Sequence, residues 1–261
     1  MLPQEIAVEK IMESLKKDPF VKAVFLKGSM GRNEHDAHSD IDLYCLVEKE
    51  NEKVFLLNRK THLEAYRPII FEDDIFIIAP QLIAVFDDLL HMDLFTVTVE
   101  SYTKKDYFKV LYDPEGLMNV FAESQTLKLN GQEFNDAVID VAWFLFQYKK
   151  AASRGNDIWA ARMLTNSMEH LAKVLLYKYK PERAQLGLKT LETSLPKEIL
   201  QKLELILESI TPRRHREAVI RMCELLNHEL DWMTRRLTDG VQIENLLRKM
   251  VELHLKVENR I

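Results

Sequence analysis

A glycine, a serine and an arginine form the first chemically suggestive group in this sequence. They lie in residues 25–43, which read FLKGSMGRNEHDAHSDIDL. Gly28 follows a short apolar run and lets backbone N–H groups approach a phosphate, while the Ser29 hydroxyl can donate one more hydrogen bond. Arg32 adds a planar cation that matches phosphate oxygens. The segment therefore predicts a phosphate-binding turn between a strand and a short helix.

Two aspartates follow at the start of a second apolar run, residues 41–47. Side chains two apart on a strand point to the same face, so the Asp40 and Asp42 carboxylates are expected to lie together. They repel each other unless a cation lies between them, and hard oxygen ligands favour Mg²⁺. A phosphate-binding turn beside a magnesium site is what nucleotidyl transfer requires. A pair of solvated aspartates is the competing explanation, which the upstream Gly28–Ser29 pair disfavours.

The spacing of these residues resembles a known pattern. Gly-Ser, ten intervening residues and Asp-x-Asp are similar to the motif of the polymerase-β nucleotidyltransferase superfamily. Residues 28–42 together resemble the small aminoglycoside and lincosamide nucleotidyltransferases. The family has a third carboxylate on a later strand, and Asp93 in HMDLFT fits that position. The resemblance implies that two Mg²⁺ ions are bound by the catalytic residues Asp40, Asp42 and Asp93, and that the triphosphate is bound by Gly28, Ser29, Arg32 and Ser39.

The resemblance also implies an activity. We expect transfer of a nucleoside monophosphate, AMP from ATP, to a hydroxyl of a small molecule. An aminoglycoside or lincosamide acceptor would make the protein an antibiotic-resistance enzyme. In kanamycin-type members of the family, a glutamate in the first helix of the C-terminal domain acts as the general base toward the acceptor hydroxyl. At the comparable position this chain has VAWFLF, residues 141–146. The general base therefore stays open between Asp93, Asp140 and Glu100.

Two other functions stay open at this point. One is a protein-modifying, antitoxin-like adenylyltransferase, which the long C-terminal half of the chain argues against because such proteins contain little beyond the catalytic fold. The other is a nucleotide-binding regulatory protein with degenerate chemistry. The three carboxylates argue against this second function, whereas the missing helical glutamate favours it.

The elements that position these residues fall into two regimes. Up to about residue 118, short β-rich runs alternate with helical stretches, and from about residue 133 the periodicity is helical throughout. We therefore predict an α+β protein, with a mixed-sheet nucleotidyltransferase domain at 1–131 and an all-α helical bundle at 132–261 that contributes to the acceptor cleft. A linker is expected at 127–132. The predicted N-terminal elements are a helix at 4–17, strands at 21–26 and 41–47, a helix at 50–66, a hairpin of 82–86 with 92–99, and a strand at 108–112.

Composition excludes several classes of protein. The 261 residues are 47% hydrophobic and 30% charged, as expected of a globular protein. Residues 1–131 carry a net charge of −8 and the remainder +3, with no basic stripe, so no nucleic-acid partner is expected.

No apolar run could span a membrane and no signal sequence is evident. The distant Cys45 and Cys223 indicate buried free thiols and a cytoplasmic location. The oligomeric state stays open and includes a homodimer.

Overall fold

The structure is a computed structural model that describes residues 1–102, 105–238 and 240–258. The chain divides into two compact units, Met1–Thr126 and Leu127–Ile261. The first unit contains a six-stranded sheet with helices. In the second, the described residues form helices and the turns between them. This is the predicted α+β architecture, a mixed sheet followed by a helical bundle.

The sheet of the N-terminal unit has the order β3-β4-β5-β2-β1-β6. Only β2 and β5 pair in parallel among its described pairs. The predicted strands are confirmed, but β3 was not predicted, because its side chains are mostly exposed on both faces and show no apolar alternation. In chain order the elements are α1 (Pro3–Leu15), β1 (Val21–Leu26), α2 (Gly28–Gly31), β2 (Ile41–Val47), α3 (Glu52–Leu63), β3 (Ile69–Phe76), β4 (Pro80–Phe86), β5 (His91–Val97), β6 (Lys109–Tyr112) and a 3₁₀ segment, Leu117–Ser124.

Each face of the sheet carries its own apolar core. On one face, α1 and α3 pack against the strands through aliphatic side chains and Phe55. The other face carries a group of rings that we call the aromatic cluster: Phe25, Tyr44, Phe95, Tyr102 and Phe108. Within the cluster, the Tyr44 ring stacks on the Phe95 ring with 4.4 Å between centroids. Because side chains alternate along a strand, Asp42 and Asp93 point to this aromatic face.

The helical unit begins with a well-capped helix. The Asn130 side chain accepts a hydrogen bond from the Glu133 N–H at 2.9 Å, and the Asn130 N–H donates to the Glu133 carboxylate at 2.6 Å. This reciprocal cap places Asn130 and Gly131 at the start of a helix rather than in the predicted linker. The helices are α4 (Gly131–Ser153), α5 (Asp157–Tyr179), α6 (Leu191–Ser194), α7 (Lys197–Ser209), α8 (His215–Thr234) and α9 (Val241–Glu258), with a 3₁₀ segment at Pro181–Thr190.

The two cysteines are buried and form no disulfide. Burial raises the pKa of the Cys45 thiol well above its usual range and that of Cys223 to about 12, so neither is a reactive thiolate at neutral pH. Across the described part of the chain, no helix combines the length and the apolar character needed to cross a membrane.

One buried imidazole in the helical unit predicts a pH-dependent stability. His254 on α9 is 8% exposed, and burial, followed by the nearby Lys149 cation, lowers its pKa to about 4. Between pH 6.5 and pH 4 the unfolded chain binds a proton at His254 that the folded chain does not. The free energy of unfolding should therefore fall as the pH is lowered through this window, by at most about 3 kcal/mol from this group.

The measurement is urea unfolding followed by tryptophan fluorescence, since all three tryptophans lie in the helical unit. His254→Leu should flatten the pH dependence between pH 6.5 and pH 4. The matched control is His228→Leu, which removes an exposed imidazole on α8 and should leave the slope unchanged. An identical slope in the wild type and the His254→Leu variant would show that His254 is solvated.

Candidate functional site

Two of the predicted carboxylates lie side by side on neighbouring strands. The parallel pairing of β2 and β5 places Asp42 directly opposite Asp93, in the same register that aligns Tyr44 with Phe95. Adjacent strands are about 4.8 Å apart, so two carboxylates on the same face come within reach of a common ligand. The Asp93 side chain is 14% exposed. The structure thus brings together two acidic groups that are 51 positions apart in the chain.

A histidine links the predicted carboxylates. His91 begins β5, and its Nε2 lies 3.1 Å from Asp93 Oδ1, while its Nδ1 lies 4.0 Å from Asp40 Oδ2. The hydrogen bond to Asp93 raises the pKa of His91, with smaller contributions from the Asp40 and Asp42 charges. Asp40 precedes β2 and its side chain is 52% exposed. Sequence reasoning missed His91, although strand alternation places it two residues before Asp93 on the same face.

The donor set has the chemistry of a divalent-metal site without a preformed metal geometry. Carboxylate oxygens are the ligands that Mg²⁺ prefers. Among the described residues, no three His, Cys, Asp or Glu side chains are grouped closely enough to hold an ion. The reason lies in the pairs just described: Asp93 Oδ1 is bonded to His91 and Asp40 extends into solvent. Their carboxylate oxygens are ligands of the kind that magnesium prefers. For an ion to bind Asp93 Oδ1, the hydrogen bond between His91 and that oxygen would have to break.

The Gly28–Ser29 turn packs directly on Asp42. Gly28 has φ +58°, and a Cβ added there would lie 1.9 Å from Asp42 Oδ2. Only glycine leaves room for the Asp42 carboxylate at this point. The neighbouring Ser29 Oγ is buried and has no hydrogen-bond partner within the part of the chain that the structure describes. A buried hydroxyl without a partner is unfavourable, and a ligand oxygen at this turn would satisfy it.

Lys27 is a second residue that sequence reasoning missed. It precedes the turn, is 4% exposed, and its Nζ donates to the Lys105 carbonyl at 2.9 Å. The ammonium lies 5.4 Å from the centroid of the Tyr44 ring and 5.2 Å from that of Tyr102, a cation–π arrangement that stabilises a buried charge. It therefore places a positive charge in the aromatic cluster, next to the Gly28–Ser29 turn.

Arg32 is held by carboxylates. Its Nε donates to Glu34 Oε2 at 3.0 Å and its Nη1 to Asp106 Oδ2 at 3.1 Å. Asp106 has φ +97°, an unusual conformation for a residue with a Cβ. A triphosphate on Arg32 would have to compete with these two carboxylates.

Ser39, the remaining predicted nucleotide ligand, is engaged inside its own loop. Its Oγ accepts from the Asp36 N–H at 3.0 Å and donates to Asp36 Oδ1 at 3.2 Å. These bonds shape the loop that leads into Asp40.

The role predicted for Arg32 can be tested by binding. Arg32→Ala should weaken ATP binding by about 1.5 to 3 kcal/mol, the contribution of one charged hydrogen bond to phosphate. AMP binding should weaken less, because the β- and γ-phosphates are the expected partners. Isothermal titration of both nucleotides measures the difference.

A matched control comes from Arg67, an arginine of the same unit that pairs with Asp87. Arg67→Ala should leave both affinities unchanged. Equal losses for ATP and AMP in Arg32→Ala would assign Arg32 to holding Asp106 and Glu34 rather than phosphate.

One family model matches the segment that carries several of these residues. Residues 9–84 match the family model described as "Polymerase beta, Nucleotidyltransferase". The matched segment contains the Gly28–Ser29 turn, Asp40 and Asp42. No curated protein matches the chain.

Solved structures of low similarity were also found. An aminoglycoside 6-adenyltransferase from Bacillus subtilis is 12% identical, with 97% of this chain and 98% of that chain covered and a TM-score of 0.39. A nucleotidyltransferase-like protein from Exiguobacterium sibiricum is 11% identical, with 92% and 79% covered and a TM-score of 0.41. A spectinomycin adenyltransferase from Enterococcus faecialis, solved with ATP and spectinomycin, is 11% identical, with 97% of this chain and 98% of that chain covered and a TM-score of 0.33.

The family match and the geometry of the site point to the same class. The matched segment holds the glycine turn and the paired aspartates, and the sheet brings the third carboxylate opposite the second. Residues 9–84 match the polymerase-β nucleotidyltransferase family, and this domain identifies an enzyme that transfers nucleotidyl groups.

Proposed function

We propose that this enzyme uses magnesium to transfer AMP from ATP to a hydroxyl of a small molecule. The observation that carries the proposal is the placement of Asp42 directly opposite Asp93, with Gly28 packed against the Asp42 carboxylate. This arrangement puts metal-binding oxygens next to a turn whose Ser29 hydroxyl is buried and without a partner. The carboxylate oxygens suit a hard cation, and the Ser29 hydroxyl suits a phosphate oxygen. Nucleotidyl transfer requires both a metal site and a phosphate site.

Each site residue takes a separate role in this proposal. Asp40, Asp42 and Asp93 would hold two magnesium ions, which supply charge stabilisation to the phosphates when bound. Gly28 and Ser29 would position the β- and γ-phosphates, and Arg32 would bind the departing pyrophosphate. Asp93 is also the proposed general base, because its second oxygen, Oδ2, is not the one bonded to His91. It would accept the proton of the attacking hydroxyl as the acceptor oxygen forms a bond to the α-phosphorus and the bond to pyrophosphate breaks.

A cavity whose lining includes Asp40 and His91 supports a small acceptor. It has a volume of about 570 Å³ and is lined by Asp40, Asp88, His91 and Gln4, among others, a size typical of small-molecule sites. Gln4 is 1% exposed, its Nε2 donates to the Ser39 carbonyl, and its Oε1 is without a partner among the described residues. The acidic lining suits a hydroxylated amine. An aminoglycoside fits that chemistry, and a lincosamide is the second candidate.

The remaining features of the proposal concern the whole chain. We assign catalysis to the N-terminal unit, Met1–Thr126. The two buried, unpaired cysteines support a cytoplasmic location, and the absence of a basic stripe in the sequence supports a small partner rather than a nucleic acid.

A mass-shift screen tests the proposed reaction. The full chain is incubated with Mg²⁺, ATP or GTP, and a panel of aminoglycosides and lincosamides, and products are identified by mass spectrometry. We expect one acceptor to gain an AMP mass with release of one pyrophosphate. Asp42→Asn should give no product, whereas Asp73→Asn, the same change at an exposed position of β3, should behave as wild type. Product formation that is independent of Mg²⁺ or of Asp42 would contradict the proposed site.

A further inference from the structure

The helical unit contains a cavity of its own, separate from the carboxylates of the N-terminal unit. It has a volume of about 490 Å³ and is bounded by α4, α8 and α9, within the usual range for small-molecule sites. Its apolar wall includes Tyr148, Val219 and Leu253, and its polar lining includes Lys149, Arg216 and His254. An aromatic and aliphatic wall with a few polar groups is the usual composition of a ligand site.

The polar lining includes a buried group without a partner. His254 is 8% exposed, and its Nε2 has no hydrogen-bond partner among the residues that the structure describes. The Tyr148 ring packs against it, with 5.4 Å between ring centroids. Tyr148 is fixed in turn, because its hydroxyl lies 3.0 Å from Nδ1 of the buried His215. A rigid pocket with one unsatisfied polar atom is suited to a ligand that supplies the missing hydrogen bond.

Two cations at the same cavity are also unpaired. Lys149 and Arg216 both line it, and over the described ranges neither has a carboxylate within ion-pair distance. Two nearby arginines behave differently: Arg214, which precedes α8, and Arg221 on α8 both pair with Glu217, at 3.1 Å and 2.8 Å. Two positive charges beside an apolar wall favour an anionic group attached to an apolar body.

We propose that this cavity binds a small organic anion, an aryl carboxylate or aryl phosphate. The anionic group would lie against Lys149 and Arg216 and take a hydrogen bond from the neutral His254 ring. The flat apolar part would pack on Tyr148, Val219 and Leu253. The proposal concerns a second site and does not depend on the chemistry assigned to the N-terminal unit.

The test uses defined probes on the full chain. The binding of 2-naphthoate and 2-naphthyl phosphate is measured by saturation-transfer NMR and isothermal titration, with 2-naphthamide as the uncharged analogue and inorganic phosphate as the anion alone. We expect binding of the two aryl anions at millimolar concentration or below, and the stronger of the two identifies the natural anion as a carboxylate or a phosphate. Lys149→Ala and Arg216→Ala should each weaken binding about tenfold, as expected for the loss of a charged hydrogen bond.

Matched variants make the outcome decisive. Lys150→Ala and Arg213→Ala remove exposed cations one and three positions from Lys149 and Arg216 in sequence and should bind the probes as wild type does. Asp42→Asn should also bind them normally, so that a failed transferase assay leaves this result intact. The proposal is overturned if neither aryl anion binds, if 2-naphthamide or inorganic phosphate binds as tightly, or if Lys149→Ala and Arg216→Ala bind no more weakly than their controls.

Discussion

Gly28→Ala should reduce nucleotidyl transfer by about 100-fold or more, the effect of displacing a catalytic group by about 1 Å. The added Cβ would lie 1.9 Å from Asp42 Oδ2 in a residue with φ +58°. Either the turn or the Asp42 carboxylate must move, and both belong to the proposed site. The measurement is the initial rate of transfer to the acceptor found in the mass-shift screen.

Gly155→Ala is the matched control for this prediction. Gly155 has φ +69°, but a Cβ there meets no atom within 4 Å. The Gly155→Ala substitution therefore places alanine in a similarly unfavourable backbone conformation but without a steric clash. We expect the free energy of unfolding to fall by about 1 kcal/mol and turnover to stay normal. Wild-type activity in Gly28→Ala would show that the close contact between the turn and Asp42 is not required for catalysis.

Asp93→Asn should lower turnover on the order of 100- to 1000-fold, because the residue is proposed both to hold metal and to accept the acceptor's proton. The substitution preserves shape, and the asparagine oxygen can still accept from His91 Nε2, so the pairing seen in the structure is retained. Nucleotide binding should weaken only modestly. Rapid-quench turnover at saturating Mg²⁺ measures the chemical step separately from nucleotide affinity.

The competing base is Asp140 on α4, which lies 3.2 Å from Nδ1 of His170. If Asp140 were the base, Asp140→Asn would show the larger loss in turnover with unchanged metal affinity. We expect it to retain most of its activity. Near-normal chemistry in Asp93→Asn would exclude Asp93 from both proposed roles.

Much of the fold around the site follows from local sequence. The apolar runs at 21–26 and 41–47 predict β1 and β2, and Gly28 marks the turn between strand and helix. Strand β3 could not be found in this way, since IIFEDDIF has three consecutive acids and exposes most side chains on both faces. It becomes a strand by pairing with β4, which is a tertiary interaction. The start of α4 was a missed local signal, because Asn130 and Glu133 form a visible capping box.

The site itself was predictable in residue type but not in its contacts. Asp42 and Asp93 meet because β2 and β5 pair in one particular register, and no local pattern specifies pairing between strands so far apart in the chain. The pairing of Arg32 with Asp106 joins residues 74 positions apart and had no sequence signal. The cation–π placement of Lys27 likewise depends on rings from β2 and from the segment after β5.

The central claim is that Asp42 and Asp93 together hold a divalent metal beside the nucleotide. Electron paramagnetic resonance of Mn²⁺, added with a non-hydrolysable ATP analogue, measures the metal that the protein binds beyond that held by the analogue alone. The account predicts that wild type and Asp73→Asn bind this additional Mn²⁺, and that Asp42→Asn and Asp93→Asn lose most of it. Equal Mn²⁺ binding in all four proteins would contradict the account.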